Sequence, residues 1–138
     1  MSRKTIQITE FDLERLQKLV EEASYTDLRG RDYLARLQME LVRAQVVRPE
    51  AVPEGVITMN STAVLLDMST QQEETYTLVF PEDADATRGR ISILAPVGMA
   101  MIGNQVGDTF EWSVPDGIRR LQVKEILYQP EAAGDYHL

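Results

Sequence analysis

The chain has 138 residues, of which 43% are hydrophobic and 26% charged, as in an ordinary globular protein with room for one or two small domains. It has no cysteine, which excludes disulfides and thiolate metal sites. No apolar run approaches the roughly 18 residues that a membrane span needs, and the first ten residues are too polar for a signal peptide. We therefore expect a cytoplasmic protein without a membrane partner.

The net charge of −8 is unevenly distributed. Residues 1–47 carry eight basic and eight acidic side chains, whereas residues 48–138 carry six basic and fourteen acidic ones. Because phosphates repel an acidic domain, we expect no autonomous binding of nucleic acid. An acidic surface suits a basic protein partner, although it also serves solubility alone.

Two amphipathic helices are predicted in the first third of the chain. Thr9 is placed to cap the first helix, with Asp12 three residues on, and apolar residues at intervals of three and four extend it over residues 10–23. Asp32 is placed to cap a second helix that runs to about residue 47. The apolar stripe of the first helix is formed by Leu13, Leu16, Val20 and Ala23.

Two helices joined by a short loop predict an antiparallel hairpin, which we interpret as a short coiled-coil arm over residues 1–47. The alternative is that both helices pack into a common core with the rest of the chain. Residues 48–55 contain two prolines and a glycine, and are predicted to be a linker.

Residues 56–138 are predicted to form a small antiparallel α+β domain. A short apolar helical turn at 97–102 separates the third strand from the fourth. The first strand is expected to be interrupted near Asn60, and the tail after residue 128 is expected to lie along the surface. The predicted strands are residues 56–66, 75–80, 90–94, 109–114 and 118–128.

The sequence offers no recognisable catalytic or metal-binding apparatus. His137 is the only histidine, and a Ser-His-Asp site would require the tail to fold inward. Glu82, Asp83 and Asp85 form the densest acidic cluster, but they lack the spacing of a calcium loop, so a solvated loop is the better interpretation. We predict no enzyme activity, no catalytic residue, no bound metal and no cofactor.

The glycines also argue against a nucleotide site. Gly98, Gly103 and Gly107 match neither of the two common phosphate-binding patterns. Gly103 is better explained as the C-terminal cap of the short helix. The Gly-Asp and Asp-Gly dipeptides at 107–108 and 116–117 are typical of hairpin turns.

Four segments carry a resemblance to a known family. They are VITMNS at 56–61, APVGMAMIG at 95–103, VPDG at 114–117 and YQPEAAGDYHL at 128–138. Residues 91–128 resemble the bacterial Gre-type transcription elongation factors. Over essentially its whole length, the chain resembles the Rnk family, the Gre-related regulators of nucleoside diphosphate kinase.

The resemblance implies an FKBP-like fold for residues 56–138, preceded by the coiled-coil arm, and it implies RNA polymerase as the partner. Gre factors dock this domain at the rim of the polymerase secondary channel and insert their arm. In the Rnk family this goes with an effect on nucleoside diphosphate kinase levels. By this resemblance, the polymerase-docking residues are Leu94, Ala95, Pro96, Val97, Met99 and Met101.

Two departures from the Gre pattern argue against transcript cleavage. A helix of about 14 residues spans roughly 21 Å, which is shorter than a Gre-type arm. The predicted tip offers Asp27 beside Arg29 and Arg31, and a lone carboxylate next to two cations is a poor Mg²⁺ ligand. In addition, Leu94 and Ala95 stand where Gre factors commonly have Asp-Ser before the shared proline.

Two alternatives remain open at this point. One is an active transcript-cleavage factor. The other is a peptidyl-prolyl isomerase, because the implied fold is FKBP-like and that chemistry needs an apolar pocket lined by aromatic side chains. The aromatic residues that could line such a pocket, or pack a core instead, are Phe80, Phe110, Trp112 and Tyr128.

Overall fold

The computed structural model describes residues 6–24, 31–114 and 117–135. Over these residues no helix combines the length and apolar character needed to pass through a membrane. The helices are α1 (Glu10–Ser24), α2 (Arg31–Val42), α3 (Pro96–Met101) and α4 (Pro130–Ala133). The strands are β1 (Gln7–Ile8), β2 (Gln45–Val46), β3 (Thr62–Asp67), β4 (Glu73–Val79), β5 (Arg90–Ser92), β6 (Thr109–Val114) and β7 (Gly117–Tyr128).

The first helix begins as its sequence predicts. The Thr9 side-chain hydroxyl accepts a hydrogen bond of 3.2 Å from the backbone N–H of Asp12. This bond satisfies one of the backbone donors that the first turn of a helix leaves without a partner. The predicted cap is therefore confirmed, and α1 extends one residue beyond the predicted end.

The second helix is shorter than predicted, and a strand replaces its last turn. It begins at Arg31, one residue before the predicted cap Asp32, and it ends at Val42. The backbone N–H of Gln45 donates to Ile6 O at 2.8 Å, so β2 pairs in parallel with β1. The prediction of helix up to residue 47 was wrong because the N-terminal strand offers these residues better hydrogen-bond partners. As a result, the entry to α1 and the exit from α2 are joined.

The large sheet has five strands in the order β5-β4-β3-β7-β6. The pairs β3–β4, β3–β7 and β6–β7 are antiparallel, but β4 and β5 are parallel. The prediction of a wholly antiparallel sheet was therefore wrong at one edge. Residues 80–89 form two 3-10 turns and return the chain to the end of the sheet at which β4 begins. The strand β5 therefore runs in the same direction as β4.

The first predicted strand is interrupted, as expected. Asn60 has a φ of +66°, a left-handed conformation that asparagine tolerates better than most residues. Upstream of it, Val56 makes an isolated bridge to Gln105, and the regular strand β3 starts only at Thr62. The predicted bounds of β6 are reproduced, and β7 begins one residue earlier than predicted.

The helices and the sheet share one hydrophobic core. Leu16 and Val20 of α1 and Leu37 of α2 belong to the same buried cluster as Leu65 and Leu121 of the sheet. The described parts of the two helices thus pack as in the common-core alternative, instead of standing apart from the body. The division of the chain at residues 1–47, 48–55 and 56–138 stays a prediction.

The segment predicted as a linker is ordered and partly buried. Its middle forms a 3-10 turn at Pro49–Ala51, and Val52 is buried. The backbone carbonyl of Pro53 accepts a 2.8 Å hydrogen bond from the side chain of Gln129. This segment is therefore hydrogen-bonded to Gln129, near the C-terminal end of the chain.

The start of the C-terminal segment departs from the prediction of a surface tail, because Gln129 and Glu131 are buried, whereas residues 132–134 are exposed. Gln129 caps α4 by accepting from the backbone N–H of Ala132 at 3.2 Å, and its side-chain amide donates to Val56 O at 2.7 Å. Gly134 ends α4 in a left-handed conformation, with φ at +81°. His137 lies outside the described residues.

Candidate docking surface

The stretch that leads into and out of α3 is uncharged. No charged residue occurs between Arg90 and Asp108, although a quarter of the whole chain is charged. Charged side chains are depleted at the centre of protein interfaces because they must lose their water of hydration there. The exposed part of this stretch is therefore easier for a partner to cover than a charged surface is.

The turn before α3 is fixed by its own hydrogen bonds. The hydroxyl of Ser92 accepts from the backbone N–H of Leu94 at 3.0 Å, and its carbonyl accepts from Ala95 at 3.0 Å. Pro96 occupies the first helical position, where its missing N–H loses nothing. Residues 94–96 are thus presented in one conformation.

The predicted docking residues divide into two groups. Pro96 is exposed, and Leu94, Ala95 and Val97 are half-buried at the surface. The side chains of the other two, Met99 and Met101, are 7% and 0% exposed and belong to the hydrophobic core. In this conformation only the first group could contact a partner. Docking by this surface stays a prediction.

Two glycines hold α3 in place. An added Cβ on Gly98 would lie 2.2 Å from the carbonyl oxygen of Ser92, so the helix packs directly on the backbone of β5. Gly103 follows the helix in a left-handed conformation with φ at +81°, which confirms the predicted cap. Sequence reasoning weighed Gly98 only as part of a phosphate loop and missed this contact, which no local pattern signals.

The predicted arm tip falls largely outside the described residues. Asp27 and Arg29, at the predicted arm tip, lie outside the described residues, and Arg31 is the first residue of α2. Their role stays a prediction. Over the part of the chain that the structure describes, no three acidic or histidine residues are grouped so that they could hold a metal ion.

The acidic loop is a turn-forming element. The carboxylate of Asp85 accepts from the backbone N–H of Thr87 at 3.1 Å and from its hydroxyl at 2.6 Å. It also lies 3.6 Å from the guanidinium of Arg88. These contacts cap the second 3-10 turn and use the carboxylate that a cation would need.

Three of the four aromatic residues considered for an isomerase pocket have other surroundings, and the side chain of Trp112 lies outside the described part of the structure. Phe80 is buried, and Phe110 packs against the hydrophobic core. The Tyr128 hydroxyl donates to Asp135, and this hydrogen bond raises the pKa of Tyr128 to about 12. A groove of about 370 Å³ lies at the start of α1, and Phe80, Phe110 and Tyr128 do not line it. It is lined by Thr9, Glu10, Phe11, Val46, Val47, Arg48 and Pro49.

A charged network that the sequence did not reveal closes the β3–β4 hairpin. One carboxylate oxygen of Asp67 accepts from Ser69, through its backbone N–H at 2.9 Å and its hydroxyl at 2.8 Å. The other accepts from Arg119 at 2.7 Å, and Arg119 also contacts Glu74 at 3.3 Å. The hydrogen bonds from Ser69 and Arg119 hold the pKa of Asp67 well below its usual range.

We expect the Asp67 network to support the fold down to acidic pH. Because its folded pKa is depressed, Asp67 contributes stability that is present above the ordinary pKa of about 4 and is lost as pH falls below it. The variant Asp67→Asn should therefore lower the melting temperature at pH 7 and reduce its dependence on pH below about 4. Calorimetry from pH 2 to pH 7 measures both effects. An unchanged melting temperature at pH 7 would contradict this role.

Comparison with known proteins identifies the class of protein to which this chain belongs. Residues 52–128 match the family described as transcription elongation factor GreA/GreB, C-terminal. The sheet with α3 and its uncharged turn is thus the Gre-type domain, and the chain is a Gre-related factor.

The first part of the chain identifies the family within that class. Residues 4–47 match the family described as the Rnk N-terminus. Over 139 aligned residues, the chain is 42% identical to the regulator of nucleoside diphosphate kinase of Escherichia coli (strain K12), and the alignment covers all of both chains. This chain belongs to the Rnk family, the regulators of nucleoside diphosphate kinase.

A more distant relative and a solved structure also show similarity to Gre-type factors. The transcription elongation factor GreA of Chelativorans sp. (strain BNC1) is 35% identical over 95 residues, which cover 69% of this chain and 60% of that protein. A solved structure of a GreA/GreB transcription elongation factor from Nitrosomonas europaea superposes with a TM-score of 0.77 at 44% identity. That superposition covers 90% of this chain and all of the other.

Proposed function

We propose that this protein is a non-enzymatic regulator that binds RNA polymerase at the rim of its secondary channel, in the cytoplasm, and competes there with Gre-type factors. The observation that carries the proposal is the fixed, uncharged turn at residues 94–97, displayed on a Gre-type domain. An effect on nucleoside diphosphate kinase levels would follow from this binding, and the Escherichia coli relative is named a regulator of that enzyme.

The arm is the reason for proposing regulation without transcript cleavage. The 15 residues of α1 correspond to about 22 Å of helix, and Leu16 and Val20 are buried in the shared core. Because Leu16 and Val20 are buried, only the segment of the predicted arm that follows Val20 and precedes α2 would be available to enter a channel. At the predicted tip, Asp27 stands beside Arg29 and Arg31, which would disfavour Mg²⁺ binding.

The proposal also includes an FKBP-like fold for residues 56–138 and an antiparallel coiled-coil hairpin for residues 1–47. A five-stranded sheet with one short helix after its edge strand supports an FKBP-like assignment for residues 56–138. The pairing of β1 with β2, which joins the two ends of residues 1–47, supports an antiparallel coiled-coil hairpin. The excess of acidic residues after residue 47 would favour a basic polymerase surface around an uncharged centre that covers residues 94–97.

Competition on core RNA polymerase tests the proposal. Immobilised polymerase should retain the protein, and an excess of a Gre factor should displace it. Backtracked transcription complexes incubated with the protein alone should show no shortened RNA, whereas added Gre factor should be slower to cleave in its presence. Failure of the polymerase to retain the protein would refute polymerase binding, and RNA cleavage by the protein itself would refute the non-enzymatic role.

The docking surface is tested by the variant Pro96→Asp. A carboxylate at the first position of α3 is compatible with the helix, because the N-terminal end of a helix favours negative charge. The same charge would lose its hydration against a partner, so we expect polymerase affinity to fall at least about tenfold, or by about 1.4 kcal/mol. Titration of labelled protein against core polymerase measures the loss.

A matched control carries the same added charge at the far end of the sheet. Gln72 is exposed in the β3–β4 turn, so Gln72→Glu should leave polymerase affinity within about twofold of the unmodified protein, as is usual for a charge outside an interface. Equal losses in the two variants would indicate an effect of net charge, and no loss in Pro96→Asp would place the docking surface elsewhere.

A further inference from the structure

The C-terminal end of α3 packs directly against the residue that precedes β1. An added Cβ on Gly103 would lie 2.8 Å from Cγ1 of Ile6 and 3.5 Å from the Cα and Cβ of the same residue. Carbon atoms in contact are normally about 3.5–4.0 Å apart, so only a residue without a Cβ permits this approach. Ile6 is 2% exposed and β-branched, so its Cγ1 cannot easily turn away. Gly103 is therefore needed for this contact as well as for its left-handed conformation.

Ile6 also takes part in the contact that joins the two ends of the arm. Its carbonyl accepts from the backbone N–H of Gln45 at 2.8 Å, and the carbonyl of Ile8 accepts from Val47 at 2.9 Å. We call the paired strands β1 and β2 the root of the arm. The entry to α1 and the exit from α2 meet at this root, and Ile6 places it against the end of α3.

On its other side, the end of α3 is bound to the segment before β3. The backbone N–H of Gly103 donates to Ile57 O at 2.9 Å, and the N–H of Ile57 donates to Asn104 O at 2.9 Å. In the described residues β1 pairs with β2 alone. If the contact between Gly103 and Ile6 is disturbed, β1 is therefore the side that moves.

The helix α3 connects the root of the arm to the predicted docking turn at residues 94–97. At its start, Ser92 fixes that turn through its hydroxyl and its carbonyl. In its middle, Gly98 packs on the backbone of Ser92, and at its end Gly103 packs on Ile6. A helix of six residues is only about 9 Å long. The docking turn and the root thus have a fixed relation to each other.

We propose that Gly103 and Ile6 are positioning residues, whose contact makes the arm and the docking turn one rigid unit. When residues 94–97 bind the polymerase, the direction of the arm relative to the channel is then already set. This consequence rests on the proposed function, whereas the fixed orientation of the arm is a property of the chain alone.

Residual dipolar couplings of the backbone amides measure the orientation in the free, full-length chain. In the unmodified protein, the couplings of α1 and of the five-stranded sheet should fit one alignment tensor. In Gly103→Ala the new Cβ should push Ile6 away by about 1 Å, which over the roughly 10 Å between packed elements is a tilt of about 6°. The couplings of α1 should then require a rotated tensor. Unchanged α1 couplings in a folded Gly103→Ala protein would overturn the proposal.

Gly134→Ala separates the contact from the strain of an alanine in a left-handed conformation. Gly134 ends α4 with the same φ of +81° as Gly103, but a Cβ there would meet nothing within 4 Å. This variant should therefore keep the orientation of α1 found in the unmodified protein. An equal tilt of α1 in Gly134→Ala would show that the contact with Ile6 is not the cause.

Ile6→Ala tests the contact from its other side. Combined with Gly103→Ala, it removes Cγ1 and leaves only atoms at 3.5 Å from the new Cβ, so the double variant should recover the original tensor. A double variant that keeps the tilt would contradict the proposal. If Gly103→Ala does not fold, Ile6→Ala alone decides. Loss of the contact should rotate or shrink the α1 tensor, and an identical tensor would overturn the proposal.

Photo-crosslinking to core RNA polymerase tests the consequence for the partner. Because the protein has no cysteine, a crosslinker can be attached at an exposed position late in α1 through Glu22→Cys. Gly103→Ala should leave retention by immobilised polymerase unchanged, since residues 94–97 are intact, but should move or weaken the crosslinks. Unchanged crosslinks would refute positioning on the polymerase. No retention of the unmodified protein would refute the proposed function, and the tensors would still decide whether the arm is fixed.

Discussion

Replacing Gly98 with alanine is expected to lower the free energy of unfolding by about 3 kcal/mol or more. The added Cβ would lie 2.2 Å from the carbonyl oxygen of Ser92 and 3.2 Å from the Cα of Ile93. These are backbone atoms, so the clash cannot be relieved by a change of rotamer. Either α3 moves off β5 or β5 is displaced from its pairing with β4. Denaturant unfolding followed by circular dichroism measures the loss.

Gly55→Ala provides the matched control. A Cβ there would approach only the side chain of Val106, at the ordinary contact distance of 3.9 Å. The same substitution should change stability by less than about 1 kcal/mol, and it can be stabilising because alanine restricts the unfolded chain. Similar losses in both variants would show that the close approach of α3 to β5 does not explain the need for Gly98.

Replacing Leu16 with alanine is expected to destabilise the whole protein by about 2–5 kcal/mol. Leu16 is completely buried, and it lies in the same cluster as Leu65 and Leu121 of the sheet. The substitution would leave a cavity in the cluster that α1 shares with the sheet. Loss of helical circular dichroism and change of Trp112 fluorescence should therefore shift together to lower denaturant concentration.

The neighbouring exposed position separates this effect from a change of helix propensity. Gln17 faces solvent on the same helix, and Gln17→Ala should alter stability by less than about 0.5 kcal/mol. A Leu16→Ala protein whose helical signal melts early while the Trp112 signal is unchanged would show that residues 1–47 unfold as an independent arm, contrary to the shared core.

Much of the local structure could be predicted because its determinants are close together in the chain. The start of α1 follows from Thr9, whose side chain serves a backbone donor three residues away. The cap at Gly103 follows from the conformational freedom of glycine. The strand β6 was placed correctly because turn residues lie on both sides of it.

The predictions that were wrong all concern partners distant in the sequence. Nothing near residues 45–46 shows that β1 will pair with them, and nothing near Arg90 shows that β5 will run parallel to β4. The tail after residue 128 was predicted to lie along the surface, as the ends of a chain commonly do. Yet Gln129 and Glu131 are buried, since the backbone carbonyls of residues 53 and 56 and the hydroxyl of Thr58 satisfy their side chains.

The predicted docking surface likewise depends partly on local sequence and partly on packing. The uncharged stretch between Arg90 and Asp108 is visible in the sequence, but which of its residues face outward is not. Helical periodicity leaves a six-residue helix without a clear inner face, and only packing against the sheet buries Met99 and Met101 while leaving Pro96 exposed. That packing narrows the predicted docking surface to residues 94–97.

The sequence by itself determined the α+β class, the caps at Thr9 and Gly103, the uncharged stretch and the family resemblance, because each depends on residue types within a few positions of one another. Only the tertiary structure decided the parallel edge of the sheet, the burial of Gln129 and Glu131 and the need for Gly98. These features depend on which distant segments meet. That outcome is set by the packing of the whole core and not by any local pattern.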